Sequence, residues 1–318
     1  LNPSAYVNNV IYSYVKKTKV EEVKRTIKYV YADDAKDLAG QQVFEPSKQT
    51  VNYTGTVKLN SDGKAVVDSN DKPVYVNWVG NGDTNLPEVT VPQKEGYIAS
   101  VEKVPVQPTT ATDEDYEYVV TYSPIQKAKT TFVYQDKDGN VKEVEGNTPV
   151  TETGKGGDKL TKADEIAAKI KEAQNKGYEL VSNTYPEGGK FDKDKDTDQE
   201  FKVTLKERVV PVTPDQPKTP GTPVDPNNPD GPKYPSGLEE KDLNKTVTRT
   251  ITYVYEDGTP VLNEDGTPKT VTQEAKFTRE AKVNLVTGEV TYGDWTPAQD
   301  LAEVKSPVVK GYLADKAT

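Results

Sequence analysis

The chain has 318 residues, a formal net charge of −10 and a mean hydropathy of −0.79. Because 33% of the residues are hydrophobic, we expect several small cores joined by polar segments. The sequence lacks cysteine, histidine and methionine, which excludes disulfides, thiol nucleophiles and Ser-His-Asp triads. Its acidic balance argues against nucleic acid and anionic membranes as partners. No apolar run approaches the ~18 residues that membrane insertion requires.

Residues 1–17 are interpreted as the end of a preceding module. They contain Val10-Ile-Tyr-Ser-Tyr-Val15, an apolar run that is typical of a closing strand. Because the chain has no methionine, we expect it to be an internal piece of a longer protein. A signal peptide and a wall anchor would then lie outside it.

Residues 18–125 and 244–318 are predicted to be two copies of one module. Three segments recur in the same order with modest drift in spacing, a pattern that chance similarity does not produce. The matched segments are Arg25-Thr-Ile-Lys-Tyr-Val-Tyr31 with Arg249-Thr-Ile-Thr-Tyr-Val-Tyr255, Tyr75-Val-Asn-Trp78 with Tyr292-Gly-Asp-Trp295, and Gly96-Tyr-Ile-Ala99 with Gly311-Tyr-Leu-Ala314. The first copy continues into Tyr116–Tyr122, whose alternation predicts a closing strand. The second copy stops before its equivalent, so we expect it to have one uncovered edge.

Residues 126–209 form a different predicted unit, with strands on either side of one helix. Thr131–Tyr134 and Phe201–Leu205 predict strands, and Asp136–Asn140 predicts a hairpin turn. This order favours a two-layer α+β unit.

The helix of this middle unit has predicted start and stop signals. Thr161 is the expected N-cap, Asp164 occupies the capping-box position, and Gly177 supplies the stop. One face carries the apolar residues Ile166, Ile170 and Ala173. The helix is therefore expected to lie on a sheet.

Residues 210–243 are predicted to be a proline-rich linker. Proline occupies every third position from Pro211 to Pro235. Polyproline II has three residues per turn and a rise of ~3.1 Å, so these prolines would line one edge of a rod about 75 Å long. We expect a semi-rigid spacer. A docking strip for a PxxP-reading domain is the alternative.

Several segments carry a family resemblance. Those of the second copy are Thr250–Gly258, Gly288–Trp295 and Pro307–Tyr312. They resemble the second-type (B2) domain of mucus-binding repeat proteins, which occur on lactobacilli and related Gram-positive bacteria. The first copy resembles this domain less closely, because the sequence of its region Val51–Trp78 differs from the family pattern. The middle unit resembles the shorter mucin-binding (MucBP, B1-type) domain through Lys176-Gly-Tyr-Glu-Leu180.

The resemblance implies a wall-anchored, multi-repeat adhesin outside the cell. Its fold class would be α+β and β-rich, with tandem small β-grasp-like modules in an elongated array around the polyproline II linker. The family is associated with mucin glycoproteins and, in some members, with immunoglobulins. No cofactor, enzymatic activity or ligand site at particular residues is implied, and we expect a monomeric chain.

The candidate ligand-binding residues are two aromatic pairs at matching positions, Tyr75 with Trp78 and Tyr292 with Trp295. Residues i and i+3 of an extended strand face opposite sides, so one ring of each pair points outward unless a bulge intervenes. Exposed aromatic rings are the usual stacking surface for sugar faces. The competing interpretation is core packing, since the chain has only two tryptophans.

Three other kinds of site receive little support from the sequence. Asp192–Glu200 alternates carboxylates as calcium loops do, but Thr197 and Val203 stand where an EF-hand requires glycine and glutamate. A solvated turn is therefore expected there. Carboxylate pairs for glycoside hydrolysis are not marked by any spacing. Lys-Asn isopeptide bonds are chemically available, but the sequence does not pair their partners.

The functional hypothesis is weak, multivalent adhesion to host mucin glycans. Repetition of shallow contacts along one chain raises avidity without any new contact. Two alternatives remain open at this stage: a passive stalk that presents another domain, and an immunoglobulin-binding module.

Overall fold

The structure, a computed structural model, describes residues 10–297 and 300–318. It contains two compact units. The first comprises the described residues up to Ala128 together with 152–160 and 188–199, and the second comprises 129–151, 161–187 and 200–318. The predicted β-rich character is confirmed, because strands far outnumber helices in both units.

Nine strands begin in the first unit, and a 3-10 helix, Asp33–Leu38, joins the first two of them. The strands are β1 (Thr18–Tyr31), β2 (Gln42–Val57), β3 (Tyr75–Gly80), β4 (Asn85–Leu86), β5 (Val89–Thr90), β6 (Tyr97–Ala99), β7 (Lys103–Val104), β8 (Gln107–Pro108) and β9 (Tyr116–Gln135). The two strands predicted at 116–122 and 131–134 are one continuous strand, β9, and the residues from Pro124 to Thr130 between them alternate between buried and more exposed positions.

The first module is a sheet in which β1 is central. β1 pairs antiparallel with β2, which in turn pairs antiparallel with β3. The other edge of β1 pairs in parallel with β9, from Arg25 opposite Tyr116 to Tyr31 opposite Tyr122. β6 then pairs antiparallel with the far edge of β9, with Ala99 opposite Tyr122. The predicted closing strand is thus confirmed, and it lies between β1 and β6.

Alternation along β1 produces the core of this module. Apolar side chains of every second residue point inward, as the period of a half-buried strand requires. Two buried clusters result, one formed by Ile27, Tyr29, Val91, Val104, Val120 and Tyr122, and the other by Val23, Val51, Tyr53 and Leu86.

A buried arginine interrupts this apolar alternation. Arg25 is 2% exposed, and its Nε donates to Oε1 of Gln49, its cross-strand partner on β2, at 2.8 Å. Its two Nη groups donate to the carbonyls of Pro105 at 2.8 Å and Pro87 at 2.9 Å. Gln49 Nε2 also donates to Pro87 O at 2.7 Å. The guanidinium therefore ties the two central strands to both loop segments that cover them.

The remaining elements belong wholly or mainly to the second unit, except for β11, which lies mostly in the first. They are β10 (Val141–Lys142), β11 (Val150–Lys155), α1 (Ala163–Asn175), β12 (Tyr178–Asn183), β13 (Gln199–Glu207), β14 (Val209–Val212), α2 (Glu240–Leu243), β15 (Asn244–Thr252), β16 (Thr270–Thr278), β17 (Ala281–Asn284) and β18 (Val290–Tyr292). None of the helices in the described parts of the chain is long and apolar enough to cross a bilayer.

The predicted helix is confirmed, with one correction at its start. α1 buries Ile166, Ile170 and Ala173, and Gly177 follows it with a φ of +105°, as a glycine stop requires. Its N-cap is Lys162 and not Thr161, so the predicted capping residue lies one position too early. The Lys162 amide donates to the hydroxyl of Tyr185 at 3.0 Å, a tertiary contact that local sequence does not encode.

The prediction of an uninterrupted polyproline II rod over 211–235 is wrong. Within 211–235 the backbone turns back on itself, with Gly221 N donating to Tyr234 O at 2.9 Å and Val224 N to Pro232 O at 2.9 Å. Gly221 has a φ of +84°, a conformation that polyproline II does not contain. Prolines lack only the N–H, so their carbonyls still accept the bonds that close this fold-back.

The ends of the proline segment are also built into the second unit. β14 pairs antiparallel with β17, which pairs antiparallel with β18. The buried residues around this three-stranded sheet are Val212, Leu238, Leu243, Ala281 and Val283. The segment therefore contributes to a core instead of serving only as a spacer.

The second copy repeats the arginine network of the first. Arg249 on β15 donates through Nε to Oε1 of Gln273 on β16 at 3.0 Å, and its Nη2 donates to Ala302 O at 2.7 Å. Gln273 Nε2 also donates to Ala302 O at 2.9 Å. Within the described residues, β15 has β16 as its single strand partner.

We predict that Arg25→Met destabilises the first module by about 3 kcal/mol, because two carbonyls and an amide oxygen lose a charged donor inside the core. Arg249→Met is the matched control. We expect its cost to be smaller, since Arg249 is only half-buried. Urea unfolding followed by Trp78 fluorescence in a Trp295→Phe background reports on the first module, and Trp295 fluorescence in a Trp78→Phe background reports on the copy that contains Arg249. Equal midpoints for Arg25→Met and its parent would contradict the prediction.

Candidate functional site

The first candidate pair lies on a bulged part of β3. Two residues of β3, Asn77 and Trp78, stand opposite the single residue Gly55 of β2. Asn77 takes up the extra residue with a φ of +56°, a left-handed conformation that asparagine tolerates better than most residues. The bulge brings the rings of Tyr75 and Trp78 side by side, with centroids 6.5 Å apart. Because of this bulge, Tyr75 and Trp78 do not face opposite sides of the sheet as residues i and i+3 of a regular strand would.

Trp78 is partly a core residue. Its indole lies over Gly55, where an added Cβ would come within 2.8 Å of three ring atoms. It also packs against the buried cluster that contains Val23 and Leu86. Both rings are half-buried, and the Tyr75 hydroxyl donates to Lys16 O at 3.0 Å. The first pair therefore combines core packing on one side with partial exposure on the other.

The second pair has a different environment. Tyr292 ends β18 and is 40% exposed, while Trp295 follows the strand and is 36% exposed. The Tyr292 hydroxyl donates to Gly237 O at 2.7 Å. Thr278 and Thr296 exchange backbone hydrogen bonds of 2.7 and 2.8 Å, which hold the tryptophan segment beside the end of β16.

An arginine that sequence reasoning missed joins these two rings. The guanidinium carbon of Arg279 is 3.6 Å from the ring centroid of Tyr292 and 4.5 Å from that of Trp295. Its Nε donates to Asp242 O at 2.8 Å, which fixes the side chain in this position. Cation–π contacts of this kind contribute about 0.5–1 kcal/mol at exposed sites.

Alignment of the two copies could have revealed that the two aromatic pairs have different neighbours. When the copies are aligned on Arg25 and Arg249, Arg279 falls on the position of Gly55. The same site is thus a glycine beneath an indole in one copy and a cation on two rings in the other. The two aromatic pairs are not equivalent surfaces.

A groove that the sequence did not indicate lies elsewhere in the first unit. It is formed where the loop segment 90–103 passes β9, and neither tryptophan lines it. Its main lining side chains are Pro92, Lys94, Tyr97, Val101, Tyr122 and Ile125. No motif marks this groove because it arises from the packing of an irregular segment on a strand.

The alternating carboxylates at Asp192–Glu200 are engaged by lysines of the first unit. Lys36 Nζ is 2.6 Å from Asp196 and 3.4 Å from Asp194, and Lys195 Nζ is 2.9 Å from Asp196. Hydrogen bonds from Lys36 and Lys195 lower the pKa of Asp196 to about 2. Among the residues that the structure describes, no three His, Cys, Asp or Glu side chains form a metal-binding group.

Comparison with protein families decides the affiliation of the chain. The model of the Muc B2-like domain matches residues 14–126 and 238–318, which together are more than half of the sequence. The chain belongs to the Muc B2-like domain family. A second model, described as a mucin binding domain, matches residues 126–207 between the two B2-like segments. A comparison with curated proteins found no match.

Solved structures similar to this B2-like chain include three from Gram-positive bacteria. The type 2 repeat of the mucus binding protein MUB from Lactobacillus reuteri is 27% identical, with 60% of this chain and 87% of that chain covered and a TM-score of 0.31. The MucBP domain of the adhesion protein from Pediococcus pentosaceus is 30% identical, with 33% and 98% covered and a TM-score of 0.25. The mucin-binding domain of Spr1345 from Streptococcus pneumoniae is 23% identical, with 34% and 93% covered and a TM-score of 0.26. The affiliation rests on the family models alone.

We predict that Trp78→Ala destabilises its module by about 3 kcal/mol, because a large ring packed on Gly55 and on the core is removed. Trp295→Ala should cost about 1 kcal/mol, since it loses mainly a contact with Arg279. Urea unfolding followed by far-ultraviolet circular dichroism measures both. A larger loss for Trp295→Ala than for Trp78→Ala would show that this assignment of core and surface roles is reversed.

Proposed function

We propose that this chain is a segment of a bacterial cell-surface adhesin that binds mucin glycans through weak, repeated contacts. The observation that carries the proposal is the combination of two B2-like segments and a mucin binding domain in one polypeptide. Neither matched domain is described as an enzyme, and we assign no catalytic activity. We place the protein outside the cell, held at the wall of a Gram-positive bacterium.

The proposed organisation follows from the sequence repeats. The modules are 18–125, 126–209 and 244–318, with 210–243 connecting the last two; the predicted closing strand at 10–15 is not formed, and residues 1–9 lie outside the described residues. We propose that the modules are β-grasp-like, which the parallel pairing of β1 with β9 supports. Several weak sites on one chain would raise avidity in proportion to their effective concentration.

The proposed contact residues are Tyr75, Trp78, Tyr292 and Trp295. The rings of the first pair are half-buried and those of the second are exposed, so each pair offers ring surface that suits the apolar face of a sugar. Arg279 lies over Tyr292 and Trp295, so a sugar at the second pair would have to use the ring surfaces that this side chain leaves free. We therefore expect the two pairs to differ in glycan preference.

Glycan-array binding and immunoglobulin pull-down with the 318-residue chain test the proposal. Trp295→Ala should lose glycan signal while its circular dichroism spectrum stays native, and Leu262→Ala, at another exposed apolar residue of the same copy, is the control. Absence of binding to any mucin glycan would support the passive stalk. Capture of immunoglobulin that survives its deglycosylation would support the immunoglobulin-binding module.

We predict that retention on mucin rises as pH falls from 7 to about 4. The chain and sialylated or sulfated glycans are both acidic at pH 7, so they repel one another until carboxylates are protonated. Some carboxylates resist this titration: backbone hydrogen bonds lower the pKa of Asp68 and Asp136, and lysines lower the pKa of Asp196 to about 2. Asp196 therefore stays charged at pH 4, so retention should keep rising below it.

Retention on immobilised mucin from pH 7 to pH 3 measures this effect, with circular dichroism in the same buffers as the folding control. At 1 M salt the Debye length is about 3 Å, so the pH dependence should weaken markedly. A flat or falling profile in low salt would count against an electrostatic barrier to binding.

A further inference from the structure

Three side chains of the second unit carry the groups from which an amide cross-link can form: an amine, a carboxamide and a carboxyl group. Lys142 lies on β10, Glu207 ends β13 and Asn284 ends β17. The sequence does not pair the partners of a Lys-Asn isopeptide bond. The fold brings this lysine and this asparagine to one carboxyl group.

The carboxyl group of Glu207 contacts both of the other groups. Its side chain is 5% exposed, Lys142 Nζ donates to Oε2 at 3.0 Å, and Asn284 Nδ2 donates to Oε1 at 3.4 Å. The backbone amide of Lys137 donates to Oε1 at 3.1 Å and helps to fix the carboxyl group. Because both oxygens belong to one carboxyl group, the amine and the carboxamide are separated by two hydrogen bonds.

The carboxamide of Asn284 is held at its oxygen as well. This residue is buried, and its Oδ1 accepts hydrogen bonds from the backbone amides of Val286 at 2.9 Å and Thr287 at 3.2 Å. Two N–H groups on one carbonyl oxygen stabilise the negative charge of a tetrahedral intermediate. A turn capped by asparagine accounts for these two bonds, but it does not account for the buried carboxyl group at Nδ2.

The amine of Lys142 is charged at rest. Burial opposes this charge, but hydrogen bonds with Glu207 and Tyr178 raise the pKa of Lys142. Nucleophilic attack therefore requires that a proton first passes from Nζ to the carboxylate of Glu207. This transfer gives a neutral amine beside a neutral carboxyl group, and it removes two charges whose burial is costly.

We propose that Lys142 and Asn284 are joined by an intramolecular isopeptide bond, with Glu207 as the proton carrier. The Nζ of Lys142 attacks Cγ of Asn284, while the amides of Val286 and Thr287 stabilise the charge on Oδ1. Glu207 delivers the proton from the attacking nitrogen to Nδ2. The Cγ–Nδ2 bond breaks, ammonia leaves, and a Cγ–Nζ amide bond remains. No oxidant, reductant or further reactant takes part.

The bond connects segments that match two different family models. Lys142 and Glu207 lie within 126–207, and Asn284 lies within 238–318. The bond encloses about 140 residues, so it restricts the unfolded chain far more than the folded one. Tension applied to the two ends of the chain passes through the cross-link and spares the enclosed residues. This role is independent of glycan binding.

Intact mass spectrometry of the denatured 318-residue chain tests the proposal. Release of ammonia should leave the mass about 17 Da below that of the sequence. Peptide mapping should recover the peptide that contains Lys142 joined to the peptide that contains Asn284. A full sequence mass, in protein whose circular dichroism shows it to be folded, overturns the proposal and leaves an ion pair with a hydrogen bond only.

Three variants test the role of each group. Lys142→Arg keeps a cation beside Glu207 but cannot form the bond, so it should have its full sequence mass. Glu207→Gln should also have its full mass, because no group remains to carry the proton. Lys36→Arg is the matched control, since Lys36 contacts the carboxylates of Asp194 and Asp196, and it should keep the mass deficit. A deficit that persists in Lys142→Arg overturns the proposed bond, and one that persists in Glu207→Gln overturns the role of Glu207.

Discussion

The buried guanidinium of Arg25 is the interaction on which the first module depends. An isolated charge in such a core would cost several kcal/mol, so each of its donors needs a partner. The partners are Gln49 on the neighbouring strand and carbonyls of Pro87 and Pro105. Proline carbonyls suit this role because their residues have no N–H to place elsewhere. The loops over the sheet are thus held by charge-assisted hydrogen bonds next to the buried side chains of Leu86 and Val104.

The recurrence of this network explains why two divergent copies keep one fold. Arg249, Gln273 and Ala302 reproduce the strand pair and one of the two carbonyl acceptors, although that acceptor is an alanine instead of a proline. A backbone carbonyl accepts a hydrogen bond whatever its side chain, so this exchange does not disturb the network. The aromatic pairs have no such constraint. Replacement of Gly55 by Arg279 at the aligned position changes what lies against the indole, and hence what each copy can present to a ligand.

Local patterns predicted the elements that depend on local physics. Alternation at Tyr116–Tyr122 predicted part of β9, and the apolar face of α1 is occupied by the predicted residues. The predictions that were wrong or incomplete concern features that depend on tertiary contacts. The proline segment was expected to be a rod because its period matches polyproline II, but the turn at Gly221 and bonds to carbonyls across the fold-back are decided by packing. The sequence does not decide whether Tyr75 and Trp78 face the same side of the sheet for a similar reason, since the bulge at Asn77 is set by cross-strand register.

Repeats add information that neither composition nor periodicity contains, because each copy is a control for the other. Val23 and Val247 have the same side chain and equivalent positions on β1 and β15, and their strands have equivalent partners, β2 and β16. Val23 is nevertheless fully buried, whereas Val247 is exposed. Side-chain chemistry therefore does not account for the exposure of Val247; Val23 is buried because it packs in a cluster with Val51, Tyr53 and Leu86. In the first module, β9 pairs with β1 although it begins about a hundred residues further along the chain. Such distant pairing requires loop closure before its contacts form, so the pairing of β1 with β9 is expected to slow folding.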